Sequence, residues 1–312
     1  MTTIRLLHIS DLHICKFLNI LQISKRADVT DTVKHFTVAP AYSPGTLSRF
    51  LAFLRQQRAT LDGIIITGDI ATTGRSFDLE KAFNVIKHRI EPMGVDLCLL
   101  PGNHDRWIPY RKGKDSVLFS LGYDPGGKDF HSLFGDFWTG DVNTFTTSRD
   151  NFRVAVITAD LSLRSAHDAE IWKFINKHGQ GKVYDDILKD LESATLRVLE
   201  DREITTAVLW AVHFPPFCPD IGSDLRLLDE THLLEKADEL GVSFILAGHS
   251  HVGRVYDTLP YNTYVFCAGT LTQYNPAKNH FFIISLENLG EDYRVDVESY
   301  EFDHLRRKFI RT

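Results

Sequence analysis

The chain has 312 residues, 43% of them hydrophobic and 24% charged, which is the composition of a globular protein and excludes wholesale disorder. With 35 Lys and Arg against 41 Asp and Glu, the net charge of -6 disfavours a nucleic-acid polymer or an anionic membrane as partner. No stretch approaches the ~18 apolar residues of a membrane span, the N-terminal apolar run is too short for a signal peptide, and Cys15, Cys98, Cys218 and Cys267 form no CxxC pair, so a reducing, cytoplasmic setting is expected.

Short apolar runs alternate with segments of helical period, which predicts an α/β protein. The first run is Arg5 to Ser10. In TLSRFLAFLRQQ, Leu47, Phe50, Leu51 and Leu54 repeat as one helical stripe, and GIIITGD follows as the second run. Leu79, Phe83, Ile86 and Ile90 mark a helix stopped near Pro92, before the third run, VDLCLLPGNHD. Later runs are FRVAVITAD, TAVLWAVHF and VSFILAGHSH, with helices predicted over Asp185 to Leu199 and Glu230 to Leu240. From Val252 onward the sequence reads as short strands and turns.

No repeat or linker divides the chain, so a single domain over 1–312 is expected, with a basic tail at 304–312. Excursions at 14–45 and 106–151 have the length of functional lids or disordered loops.

Five of the runs end in residues of metal-ligand type: Asp11 and His13 in SDLH, Asp69 in TGD, Asn103 and His104 in GNHD, His213 in VHFPP, and His249 with His251 in GHSH. Strand carboxyl ends lie together at one edge of an open α/β sheet, so these side chains can converge. Residues i and i+2 of an extended segment project to the same side, which would let Asp11 and His13 grip one site together and His249 with His251 serve two neighbouring ions. Gly68, Gly102 and Gly248 each precede one of these residues, where a missing Cβ permits a sharp turn. The mixture of oxygen and imidazole donors without thiolates suits manganese, iron or zinc.

The ordered set DxH, GD, GNHD, H and GHxH resembles the calcineurin-like metallophosphoesterase family over residues 11 to 251, and GDIATTG with GNHD and GHSH is closest in form to its bacterial cyclic-nucleotide-phosphodiesterase-like members. That resemblance implies a four-layer αββα sandwich of two mixed sheets flanked by helices, with a dinuclear metal site at the carboxyl ends of the strands. Asp11, His13 and His251 would bind one ion, Asn103, His213 and His249 the other, and Asp69 would bridge two divalent or mixed-valence ions (Mn, Fe or Zn). A metal-bridging hydroxide would attack a small phosphoester in line, the leading expectation being a phosphodiester. His104 would act on the leaving oxygen, and Asp105 would orient His104 or its loop.

Two other readings of the same blocks are a DNA- or RNA-cleaving nuclease, against which the acidic balance counts, and a non-catalytic scaffold, against which the complete ligand set counts. Cys218 reads as an apolar filler and not a nucleophile, since a metal hydroxide leaves no need for a thiolate. Trp107, Tyr110, Phe214 and Phe217 form either a substrate wall or core packing. Arg106 or Arg111, and less directly Lys34 or His35, are candidates to reach a phosphate oxygen. Nine histidines outside the motifs, among them His8 and His280, read as surface or hydrogen-bonded residues. The sequence leaves the oligomeric state open.

Overall fold

The structure, a computed structural model, describes residues 2–15, 42–111, 119–123, 127–165, 179–219, 221–222, 225–273 and 279–312, with the side chains of 108–111 and 119–123 excepted. Most of the first expected excursion, including Lys34 and His35, and the side chains of Tyr110 and Arg111 lie outside the described residues.

Strand β1 (Thr3–Ile9) leads toward helix α1 (Pro44–Gln57) and β2 (Gly63–Thr67). Ser43 caps α1 by accepting the Thr46 N–H at 3.2 Å, Pro44 starts the helix without wasting a donor, and the predicted stripe of Leu47, Phe50, Leu51 and Leu54 is buried. Helix α2 (Ser76–Val85) widens into a π turn at Ile86–Ile90 and then tightens into a 3-10 turn at Glu91–Met93 before β3 (Asp96–Leu100). A hairpin of β4 (Trp107–Arg111) and β5 (Phe119–Tyr123) comes next, then α3 (Lys128–Phe134), β6 (Val142–Arg149), β7 (Phe152–Ala159) and the two-residue β8 (Gly181–Lys182).

Helix α4 (Asp185–Leu199) coincides with its predicted bounds. Its first turn carries Asp185 and Asp186 and its last Arg197, in the sense favoured by the helix dipole, and it buries Ile187, Leu191, Thr195 and Val198. After β9 (Thr205–Val212) and β10 (Leu227–Leu228) come α5 (Glu230–Glu239), β11 (Phe244–Ala247), β12 (Arg254–Asp257), β13 (Tyr264–Cys267), β14 (His280–Asn288), β15 (Tyr293–Asp303) and β16 (Lys308–Arg311).

These strands build two six-stranded mixed sheets, ordered β16-β15-β14-β1-β2-β3 and β12-β13-β11-β9-β7-β6. β1, β2 and β3 run parallel in the first sheet, and β7, β9, β11 and β13 run parallel in the second. Val154, Val156, Leu209 and Leu246 face the first sheet in one large core that also takes in α1 and α2, whereas Ala155, Ile157, Trp210 and Ile245 pack on α4 and α5. This two-residue alternation makes the second sheet two-sided and yields the expected helix, sheet, sheet, helix layering.

Two stretches differ from expectation. The residues from 106 to 151 include α3 and the edge strand β6, so much of that stretch belongs to the framework, and the basic C-terminal segment forms edge strand β16 with Phe309 buried. The strands after Val252 are also not all short: β14 spans nine residues and β15 eleven, because β14 pairs along β1 from Thr3↔Glu287 to His8↔Phe282. Among the described residues, no helix is long and apolar enough to cross a membrane.

Candidate metal centre

The parallel strands deliver their carboxyl ends to one place from both sheets: Asp11 and His13 follow β1, Asp69 follows β2, Asn103 and His104 follow β3, His213 follows β9, and His249 and His251 follow β11. Donor atoms of Asp11, His13, Asp69 and His251 lie within 4.8 Å of one another, and so do those of Asp69, His213 and His249. Asp69 is common to both groups. Asn103 joins the second, its Oδ1 being 3.0 Å from His213 Nε2.

Adjacent residues of the donor clusters are aimed by a different device from the extended zigzag expected of DxH and HxH. Asp11, His13, Asp69, His249 and His251 all have left-handed φ, from 45° to 64°, and they make up five of the eight non-glycine residues in that region among the described residues. Such backbone is costly for side chains with a Cβ and persists only where its surroundings enforce it. Here the enforcement is visible. Asp11 N donates to Gly68 O at 3.1 Å, His13 N to Asp69 O at 2.9 Å, and Thr72 N to Ile14 O at 3.0 Å, which zips the loop after β1 to the loop after β2.

Threonine hydroxyls complete the scaffold. Thr270 Oγ1 donates to Asp11 O at 2.8 Å, Thr272 Oγ1 to Leu12 O, and Thr72 Oγ1 to His13 O. The roles of these three residues escaped the sequence reading; the only signals were the alternating threonines of GTLTQ for Thr270 and Thr272 and the GDIATTG block for Thr72.

Two of the glycines are required by contact. A Cβ on Gly68, which has φ of 89°, would meet His213 Nδ1 at 2.6 Å, and one on Gly102 would collide with the Asp69 carboxylate.

Carbonyl oxygens only accept, so they settle which ring nitrogen carries hydrogen. His213 Nδ1 donates to Thr67 O at 2.7 Å, leaving Nε2 toward Asn103 and Asp69. His249 Nε2 donates to Leu225 O at 2.7 Å, leaving the Nδ1 lone pair unused by that bond. His104 Nδ1 donates to Thr72 O at 2.9 Å, and its backbone N–H donates to Asp69 Oδ1 at 2.8 Å.

The charges are those of a cation site. Burial pushes the Asp11 and Asp69 carboxyls up, but neighbouring imidazoles, His251 for Asp11 and His213 for Asp69 above all, outweigh it and hold both well below the usual range. Burial lowers His13 to about 4 and His249 to about 3, so both present lone pairs at neutral pH. Burial also acts to lower His213, yet the Asp69 charge overrides it and raises His213 to about 9.

Asp11 Oδ1 and Asp69 Oδ2 are buried with no hydrogen-bond donor. An anionic oxygen left so is among the most expensive groups a protein can bury. His13 Nε2 and His251 Nε2 also stand 3.1 Å apart, and His251 Nε2 lies 3.1 Å from Asp11 Oδ1. Lone pairs and anionic oxygens facing a common point fit metal cations, and the mixed donor set fits a transition metal.

The structure divides the supporting roles. The Asp105 carboxylate accepts from Ile70 N at 3.1 Å, Ala71 N at 2.7 Å and Gly102 N at 2.9 Å, so it clamps the loops rather than the His104 ring. Burial first, then the Asp69 charge, raises its pKa to about 7 against the pull of those three donors. Arg106 does not face a phosphate position: it is 3% exposed and ion-paired to Asp160. Phe214 is fully buried core against His213 and His249, while Phe217 is 38% exposed and Trp107 is half-buried edge-on to His104. Cys218 is half-buried, its thiol donating to Tyr256 Oη at 3.3 Å.

Comparison with known proteins agrees with this architecture. A dimetal phosphatase of Danio rerio superposes with a TM-score of 0.60 at 15% identity, covering 99% of this chain and 98% of its own. A purple acid phosphatase from yellow lupin (Lupinus luteus) seeds superposes with a TM-score of 0.58 at 14% identity, covering 96% of this chain and 52% of its own. At these identities the likeness is one of fold. No curated protein matches the chain. The family model described as calcineurin-like phosphoesterase matches residues 4–253, a span that holds every residue of the two donor clusters, and the chain therefore belongs to the calcineurin-like phosphoesterase family.

Proposed function

We propose that the protein is a metal-dependent phosphodiesterase acting on small phosphodiesters. The observation that carries the reading is the pair of donor clusters sharing Asp69, with two buried carboxylate oxygens turned inward and unmatched. Asp11, His13 and His251 would hold one cation, and Asn103, His213 and His249 the other. When bound, the cations supply Lewis acidity to the phosphoryl group and acidify water. Manganese, iron and zinc are the candidates that the donor set favours.

The chain's own residues then do three things. Asp69 sets the separation of the two clusters by offering one oxygen to each. His104, fixed through Nδ1 to the Thr72 carbonyl, keeps Nε2 for a proton that passes to the leaving oxygen. His104 and His251 are half-buried where the other donors are buried, which marks the side from which substrate arrives. Preference for a diester, and kinship with the bacterial cyclic-nucleotide-phosphodiesterase-like branch, rest on the form of GDIATTG, GNHD and GHSH. Cys15, Cys98, Cys218 and Cys267 as reduced thiols suit a cytoplasmic protein.

Elemental analysis of the purified protein, followed by a panel of bis-aryl, cyclic-nucleotide and monoester substrates in manganese, tests the proposal. Two ions per chain and turnover of diesters are expected. Turnover of monoesters alone would reject the diester reading, and turnover of oligonucleotides with steep salt sensitivity would replace it with a nuclease.

A further inference from the structure

His104 sits in a turn whose next but one residue, Arg106, is buried in an ion pair that crosses the sandwich. Arg106 follows β3 in the first sheet, and Asp160 follows β7 in the second. Both are at most 3% exposed, and Arg106 Nη2 donates to Asp160 Oδ2.

Asp160 is itself held on the second sheet: its Oδ1 accepts from Ser162 N at 2.9 Å and its backbone N–H donates to Asp141 O at 2.8 Å. The space for the guanidinium is also provided for. Gly127 has φ of 59°, and a Cβ there would stand 3.3 Å from Arg106 Nη2.

A buried ion pair contributes little net stability, because desolvation offsets most of its attraction, but it enforces one geometry on the segments that bear it. The segment it bears on is the turn that presents His104. Arg106 N donates to Asn103 O and Trp107 N to His104 O, each at 3.3 Å, and Gly74 N donates to Trp107 O at 2.7 Å. A shift of Arg106 thus moves the backbone of His104 away from both of its anchors, Asp69 and the Thr72 carbonyl.

Resting on the proton-donor role given to His104 above, we infer that Asp160, through Arg106, is a positioning residue that sets the His104 ring. Asp160 touches no member of the two donor clusters in any described hydrogen bond or ion pair, so its removal reaches the site only through the turn of Arg106, and its main effect falls on the His104 ring.

The variants are Asp160→Asn, Asp160→Glu and the double variant Arg106→Met with Asp160→Leu, which leaves no charge buried alone. Metal content and thermal midpoint are measured first. Turnover is then compared for aryl and alkyl phosphoesters, since a proton donor matters most when the leaving oxygen is basic. In Asp160→Asn and the double variant, we expect unchanged metal content, KM within about threefold, and kcat on alkyl esters reduced about 10- to 100-fold, with a much smaller loss on aryl esters. Asp160→Glu recovers part of the loss.

A readout independent of turnover is the imidazole N–H signal of His104 in nitrogen-15 histidine spectra. Its hydrogen bond to Thr72 should shift or exchange faster in Asp160→Asn while the His213 signal stays. A folded, metal-loaded double variant with normal alkyl turnover, or an unmoved His104 signal, overturns the inference. If the wild-type protein turned over no phosphoester, the functional reading would fail, and the His104 signal would still decide whether Asp160 positions the ring.

Discussion

Two groups of histidines are buried in this sandwich a few residues apart. His13, His213 and His249 stand at the strand ends, while His8 and His280 lie within the neighbouring strands β1 and β14. Burial lowers His8 to about 3 and His280 to about 4, much as it lowers His249 and His13. Loss of basicity therefore does not distinguish a ligand from a core residue. The partners do. His8 Nε2 meets Thr67 Oγ1 at 3.0 Å and His280 Nε2 meets Ser299 Oγ at 2.9 Å, neutral hydroxyls that suit a neutral ring. The strand-end histidines face Asp11 and Asp69, whose unmatched oxygens demand positive charge.

The largest test of that contrast is Asp69→Asn. Removing the shared anion should empty at least one cation position and lower turnover on the order of 10³-fold, as for loss of a central electrostatic group. A full metal complement in this variant would break the contrast. His104→Ala should keep both ions and lose about 10²- to 10⁴-fold in turnover, with less loss for acidic leaving groups. If metal analysis instead found the site empty, His104 would belong with the ligands.

Asp105→Asn keeps the shape but turns one oxygen into a donor opposite donors. Metal affinity or activity should fall about 10- to 100-fold, measured by titration of the metal-free protein.

The smallest effect separates the core histidines. Because the folded-state pKa of His280 is depressed from 6.5 to about 4, the unfolded chain takes up its proton first as the solution is acidified. The stability His280 contributes is complete above about pH 6.5 and is lost as pH falls toward 4, by about 1.4 kcal/mol per pH unit at the steepest. His280→Gln should flatten that part of the pH profile in denaturant melts and leave metal content unchanged. A drop in metal content would mean that the core pair belongs to the site.

Much of the chemistry was open to reading because strand ends and ligands are local in sequence. An apolar run followed by Asp, Asn or His is visible without coordinates, and the caps and stripes of α1 and α4 obey local rules. The i, i+2 argument brought Asp11 to His13 and set His249 and His251 toward two neighbouring positions, an arrangement that the structure attains by left-handed backbone. Backbone sign is set by hydrogen bonds to Gly68, Asp69, Thr72, Thr270 and Thr272, none of which neighbours Asp11 or His13 in the chain.

The sequence by itself determined the candidate donor types, their order and the alternation of strand and helix, since each depends on residues within one turn or one run. Only the tertiary structure decided that β14 returns from the end of the chain to lie beside β1, that both sheets contribute to one centre, and that Arg106 turns to Asp160 rather than to substrate. Those outcomes depend on which distant surfaces bury each other, and burial is a property of the packed whole.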